Sequence, residues 1–189
     1  LYSEEMIGMM EELRLPRYGL SQYEDTTKTA NASTTDKHLL ENLSRAGQRM
    51  MGFCKSTFFK RIDSSGFSFL LTHYRHILRN AVFIYAIENK LPLPIGDEND
   101  LPEEWIGDED INDIFSHDDE EEDSMGGDNL IEIPTDMKVY MEKARQYYML
   151  LTQKNNVAWI ESTYFKRTLK SHLKQDCEQL IKMILLCDK

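Results

Sequence analysis

The clearest gap in this 189-residue sequence is the lack of any Lys or Arg between Leu91 and Thr135. Extended to Asp136, the same stretch contains 18 acidic residues. The whole chain has a formal net charge of −11, so the residues outside this stretch sum to +7. An acidic insert, residues 97–136, therefore accounts for the negative charge of the chain. The remaining, mildly basic part does not exclude a nucleic-acid partner.

Other scarcities exclude further classes of protein. Nine glycines and five prolines, beside 41% hydrophobic residues, exclude a collagen-like or wholly disordered chain. Three cysteines, at 54, 177 and 187, leave an odd number without paired spacing, which excludes a disulfide scaffold and favours a reducing, cytoplasmic location. No apolar run approaches the length of a membrane span.

What the sequence does contain is helical periodicity. Apolar residues recur at spacings of three and four over residues 3–15, from an N-cap at Asp36 to a turn at 63–66, and over 67–88, 136–153 and 166–186. Residues 157–160 form a short extended apolar piece. We predict an all-α fold, an irregular bundle of four or five helices in a single domain spanning residues 1–189. Residues 21–35 are expected to be a flexible loop, and the acidic insert to be partly disordered.

The sequence predicts no nucleotide site and no catalytic residue. Segment 47–52 begins and ends with Gly, as in a phosphate-binding loop, but Phe53 and Cys54 separate it from Lys55 and Ser56. A working loop needs Lys directly after the second Gly, because the backbone wraps the phosphates while the Lys reaches them. Cys54 falls on the apolar side of its predicted helix, which favours a core position over a role as nucleophile.

Two patterns approach a metal site without completing one. Asp108, Asp110 and Asn112 repeat the first ligands of a calcium-binding loop, but its sixth and twelfth positions lack the required Gly and Glu. His73 and His76 could share a helix face, yet a metal needs three or four ligands. The alternatives are a solvated acidic loop and a solvated or hydrogen-bonded helix face. We therefore predict no metal and no cofactor in this chain.

Basic residues interleaved with aromatic ones on the two central helices are the candidate nucleic-acid contacts. Arg75 and Arg79, one turn apart, are expected to lie side by side. Such cations can neutralise DNA phosphates, although Lys and Arg that merely solvate a bundle would give the same pattern. The candidate set is Lys55, Lys60, Arg61, Arg75 and Arg79.

Several strings resemble the segment between the two motor lobes of bacterial Swi/Snf-like superfamily-two helicases. In the longest string, Lys55 replaces the usual Arg and Asp63 the usual Glu. The strings are RMMGFCKSTFFKRIDSSG (49–66), RHILRN (75–80), LPLPIG (91–96), LPRY (15–18), WIESTYF (159–165) and LKQDCEQL (173–180). The resemblance covers most of the chain apart from residues 21–35 and 97–136.

The resemblance implies a parent protein that binds ATP and Mg²⁺, hydrolyses ATP with two RecA-like lobes and moves along double-stranded DNA. The chain begins with Leu1 and not with Met, as expected for a fragment of such a helicase. We expect no ATP hydrolysis from this fragment alone. Two roles follow: a module that braces the lobes and contacts DNA, or a purely structural or protein-interaction module. In the second, the acidic insert could fold back on the basic face.

Overall fold

The computed structural model describes residues 4–64, 66–96, 133–155 and 157–187. Most of the predicted acidic insert, with its calcium-like pattern, lies outside the described residues. The described part is mostly helical, so the prediction of an all-α fold is confirmed. Its α-helices are α1 (Glu4–Glu12), α2 (Thr26–Thr29), α3 (Thr34–Ser64), α4 (Gly66–Glu88), α5 (Met137–Thr152) and α6 (Thr168–Cys187). Within these ranges, no helix combines the length and apolar character needed to cross a membrane.

Helix α4 forms the centre of the bundle. From His73 to Ile84 every side chain is buried except that of Arg75, which is half-buried. A helix with apolar residues on all sides must be covered on all sides, and α3, α5, α6 and the first strand each contact α4. Helix α6 runs antiparallel to it, since the Cys177 thiol lies 3.9 Å from the Ile77 carbonyl oxygen and Lys174 pairs with Glu88.

Two side chains cap the starts of the longer helices. The Oγ atom of Ser33 accepts the Asp36 N–H at 3.0 Å, so α3 begins at Thr34 and Ser33 is its cap. The prediction that Asp36 caps this helix was therefore wrong by one turn. At α5, Oδ1 of Asp136 accepts the Lys138 N–H at 2.9 Å, so Asp136 caps the helix that the sequence predicted from residue 136.

Helix α4 ends in a left-handed residue that turns the chain into a strand. Lys90 has a φ of 55°, and the Leu91 N–H donates to the Ala86 carbonyl at 2.8 Å, as in a Schellman motif. Strand β1 (Leu93–Gly96) then pairs antiparallel with β2 (Ala158–Ile160), with Leu93 opposite Ile160. The sequence predicted the extended piece at 157–160 but not its partner.

Residues 21–35 contain secondary structure that the sequence did not predict. A 3₁₀ turn (Leu20–Tyr23) is followed by α2. The Asp25 N–H donates to the Tyr164 carbonyl at 2.8 Å, and the Lys166 N–H donates to the Tyr23 carbonyl at 2.7 Å. These partners lie about 140 residues further along the chain, so no local pattern reveals them.

Replacing Leu173 and Leu150 in turn by Ala tests this packing. Leu173 is 0% exposed, whereas Leu150 on α5 is 45% exposed. We expect Leu173→Ala to lower the free energy of unfolding by about 2–5 kcal/mol, because it removes buried apolar surface and leaves a cavity. Leu150→Ala should change it by less than about 0.5 kcal/mol. Urea unfolding of both variants measures the difference, and equal losses would contradict the fold.

Candidate functional site

The structure separates Lys55 from Lys60, two of the three predicted contact residues on α3. Lys60 is exposed, while Lys55 is half-buried and donates from Nζ to the Glu11 carbonyl at 2.7 Å, at the end of α1. Five residues along an α-helix correspond to a rotation of about 140° around its axis, so Lys55 and Lys60 face different directions. The backbone of Arg61 lies in α3, but its side chain is outside the described part of the structure.

The two arginines predicted on the outside of α4 lie in different surroundings. Arg75 is half-buried and Arg79 is only 6% exposed. Burial lowers the pKa of the Arg79 guanidinium, and the nearby charge of Arg17 acts in the same direction, while Tyr18 opposes it. Helix α4 has neighbours on every side, so its periodicity does not define a single outer face. The expected side-by-side surface pair is therefore not what the structure contains.

Arg79 instead belongs to an interior polar cluster, comprising Arg17, His76, Arg79, Asn80 and Asp176. The cluster lies where residues 13–20, here called the N-terminal strap, cross α4 and α6. All five side chains are at most 6% exposed. Arg17 donates from Nε to Asn80 Oδ1 at 2.8 Å and from Nη2 to His76 Nδ1 at 3.2 Å. The buried guanidinium thus ties the strap directly to α4.

Asp176 ties the strap to α6. Its two carboxylate oxygens accept the backbone N–H groups of Arg14 at 3.0 Å and Leu15 at 2.7 Å. Leu15 is buried with a φ of 50°, a left-handed conformation that costs a non-Gly residue about 1–2 kcal/mol. Burial raises the pKa of the Asp176 carboxyl, although the two backbone hydrogen bonds and the charge of Arg17 act in the opposite direction. The carboxylate stabilises a turn that Leu15 would not adopt alone.

The two buried histidines of α4 are neutral. Burial lowers the pKa of His73 to about 4, and burial with the charges of Arg17 and Arg79 holds the pKa of His76 well below 6.5. His76 accepts at Nδ1 from Arg17, whereas His73 Nδ1 lies 2.9 Å from the Phe69 carbonyl and must donate to it. The two rings therefore carry opposite tautomers. This arrangement favours a structural role over metal binding, and no metal-binding group of three His, Cys, Asp or Glu occurs among the described residues.

Two cavities accompany these residues. An apolar pocket of about 200 Å³ is lined by Ile84, Met137, Met141 and Ile181 between α4, α5 and α6. A polar crevice of about 340 Å³ beside Asp176 is lined by residues of α1, the N-terminal strap and α6. Three acidic and two basic residues line it, so its charges largely offset one another.

Sequence reasoning missed Arg17, Asn80 and Asp176. One signal could have revealed Asp176, which stands three residues after Leu173 and four before Leu180, inside the apolar stripe of α6. A charged residue at a core position of a helix needs a buried partner. Arg17 carries no comparable signal, because residues 13–20 have no helical or strand period.

Comparison of this chain with protein-family models, with curated proteins and with solved structures finds no match. The resemblance to the helicase segment therefore stays a prediction from the residues themselves.

The two buried histidines should make the stability of the fold depend on pH. An unfolded histidine titrates near pH 6.5, but the folded His73 and His76 resist protonation, so only the unfolded chain gains protons between about pH 6.5 and 4. The free energy of unfolding should fall by about 2 kcal/mol per buried histidine from pH 7 to pH 5. The raised pKa of Asp176 opposes part of this fall. Urea unfolding should give a flatter pH profile for His73→Gln/His76→Gln, and an unchanged one for the exposed-site control His38→Gln.

Asp176, the carboxylate that holds the strap, should contribute more to stability than an exposed carboxylate on the same helix. Asp176→Ala leaves the N–H groups of Arg14 and Leu15 without their acceptor, and should lower the free energy of unfolding by about 2–4 kcal/mol. Glu178→Ala, an exposed carboxylate on the same helix, is the matched control and should cost less than about 0.5 kcal/mol. Comparable unfolding midpoints for the two variants would contradict the role assigned to Asp176.

Proposed function

We propose that this chain is a non-catalytic helical accessory module of a Swi/Snf-like, ATP-dependent DNA translocase. In this proposal it braces the two RecA-like lobes of the same polypeptide and contacts phosphates of double-stranded DNA. ATP and Mg²⁺ bind the lobes, and this chain supplies no residue to the reaction. The quoted strings support the proposal because two of them, 49–66 and 75–80, fall on α3 and α4 at the centre of the bundle.

The observation that carries the bracing role is the pairing of an early and a late segment of the chain. Residues 23–25 and 164–166 exchange two backbone hydrogen bonds, between Asp25 and Tyr164 and between Lys166 and Tyr23. Gln179 of α6 donates to Glu12 of α1 at 3.2 Å, a further bond between an early and a late segment. A brace between two lobes fits these contacts, since bonds between distant segments of the chain hold the module together as one body.

The proposed DNA contacts are the basic residues of α3 and α4 that reach the surface. Lys60 is exposed, and Lys55 and Arg75 are half-buried. Arg61 completes the set by its place in the sequence, whereas Arg79 belongs to the interior polar cluster. Because Lys55 and Lys60 face different directions, they would act as separate point charges that position DNA and do not read its sequence.

A purely structural or protein-interaction module is the second candidate. It is favoured by the outer side of α5, where Val139, Met149 and Leu150 are 37%, 50% and 45% exposed. Large apolar side chains on one exposed helix face are typical of a surface that packs against another protein domain. Absence of DNA binding, both in the whole chain and in a chain lacking residues 100–130, is the result that would favour this role.

Salt-dependent DNA binding tests the first candidate. Contacts with about four phosphates should contribute about −3.6 to the slope of log affinity against log salt on duplex DNA. Lys55→Gln/Lys60→Gln/Arg61→Gln should make the slope less negative by about 2.7. The control Lys28→Gln/Lys37→Gln/Lys138→Gln makes the same charge change at exposed positions elsewhere and should leave the slope unchanged. Fluorescence anisotropy measures the affinity at each salt concentration. Equal slopes for the wild-type chain, the variant and the control would refute the proposed contacts.

A further inference from the structure

A second group of cations lies along the first half of α6 and the turn before it. Four of the nine residues from 166 to 174 are Lys or Arg, and none is acidic. Lys166 and Arg167 are exposed, and the side chains of Lys170 and Lys174 are 40% and 49% exposed. Leu169 and Leu173 are buried on the other side of the helix. We call Lys166, Arg167, Lys170 and Lys174 the basic row.

The ion pairs of the basic row leave part of its charge uncompensated. Lys174 and Lys170 approach the same oxygen of Glu88, Oε1, at 2.8 and 3.7 Å. Lys166 and Arg167 form no ion pair within the described part of the chain. Glu88 can neutralise only one of the four cations. The exposed Glu178 lies one turn beyond Lys174 and lines the same pocket, so it offsets a second charge and the row keeps an excess of about two.

The nearest acidic residue further along α6 does not reduce this excess. Asp176 is 2% exposed, and both its oxygens accept backbone N–H groups of the strap. Its negative charge is therefore held inside the bundle, on the side away from the row. The fold therefore separates Asp176 from the basic row, although Asp176 and Lys174 are only two residues apart in the sequence.

We propose that the basic row is a contact surface for the phosphodiester backbone of double-stranded DNA. This inference rests on the proposed function and names a surface for it that is separate from Lys55, Lys60 and Arg61. Lys170 and Lys174 are one turn apart on α6, and four residues of α-helix rise about 6 Å. Lys166 and Arg167 lie in the turn just before this helix, so the row places its charges close together along the start of α6.

The surroundings of the row favour DNA over an acidic protein. Protein interfaces have an apolar, often aromatic, centre inside a polar rim. Among the described residues, the exposed large hydrophobic side chains are Val139, Met149 and Leu150 on α5 and Leu185 near the end of α6. None of them lies in the row, although Lys174 borders the apolar pocket between α4, α5 and α6. Flexible lysines suit phosphate contacts, which depend on charge and not on shape.

The test measures binding of the whole 189-residue chain to a short duplex of mixed sequence across a salt series. Two net phosphate contacts should contribute about −1.8 to the salt slope, which is a further loss in affinity of about 12-fold between about 50 and 200 mM salt. Lys166→Gln/Arg167→Gln/Lys170→Gln/Lys174→Gln should lose this component. The control Lys28→Gln/Lys37→Gln/Lys138→Gln/Lys182→Gln changes the net charge equally at exposed positions and should keep it. Circular dichroism and urea unfolding check that both variants fold.

The outcomes separate this inference from the proposed function. If the row variant keeps the wild-type slope while the Lys55/Lys60/Arg61 variant has a less negative slope, the row is overturned and the contacts on α3 remain. If the row variant has the less negative slope and the other variant keeps the wild-type slope, the row is supported and the contacts on α3 fail. If the wild-type chain does not bind the duplex, both fail. A polyglutamate peptide that binds the wild-type chain as tightly as the duplex, and loses binding in the row variant, would overturn DNA in favour of an acidic protein.

Discussion

The arrangement of this module depends on one buried carboxylate. Asp176 lies on α6 but bonds to the backbone of Arg14 and Leu15, so a residue near the end of the chain fixes the conformation of one near its beginning. The left-handed turn at Leu15 that results directs Arg17 and Tyr18 towards α4. Helices α4 and α6 already pack through apolar contacts. The carboxylate fixes the position and direction of the strap that crosses these two helices.

The interior polar cluster makes that position specific. Two guanidinium groups, Arg17 and Arg79, are buried there beside two neutral histidines. Buried polar groups are stable only when their hydrogen bonds are made, so a shifted strap would leave several groups unsatisfied at once. Apolar packing alone tolerates small shifts much better. The cluster therefore contributes specificity of register more than net stability.

The sequence was sufficient for the features that arise from local pattern. Periodicity located α4 and α5, and the start of α5 is local as well, since Asp136 accepts the Lys138 N–H only two residues away. At α3 two residues able to cap, Ser33 and Asp36, stand within one turn, and only the Oγ geometry distinguishes them. The pairing of β1 with β2 is non-local, so neither strand predicts it alone.

The candidate site was less predictable, because exposure depends on the whole fold. Periodicity placed Arg79 on α4 correctly but could not show that this helix is covered on every side. The net charge of residues 138–189 was known to be positive from the sequence. The sequence could not show that Lys170 and Lys174 point outward while Asp176 points inward. These directions follow from the packing of α6 on α4.

The bond between Arg14 and Asp176 joins residues 162 positions apart, and this distance has a consequence for the order of folding. The entropy lost on closing a loop grows with its length, so contacts within the α3–α4 hairpin can form long before this one. The strap is therefore expected to close onto helices that have already formed.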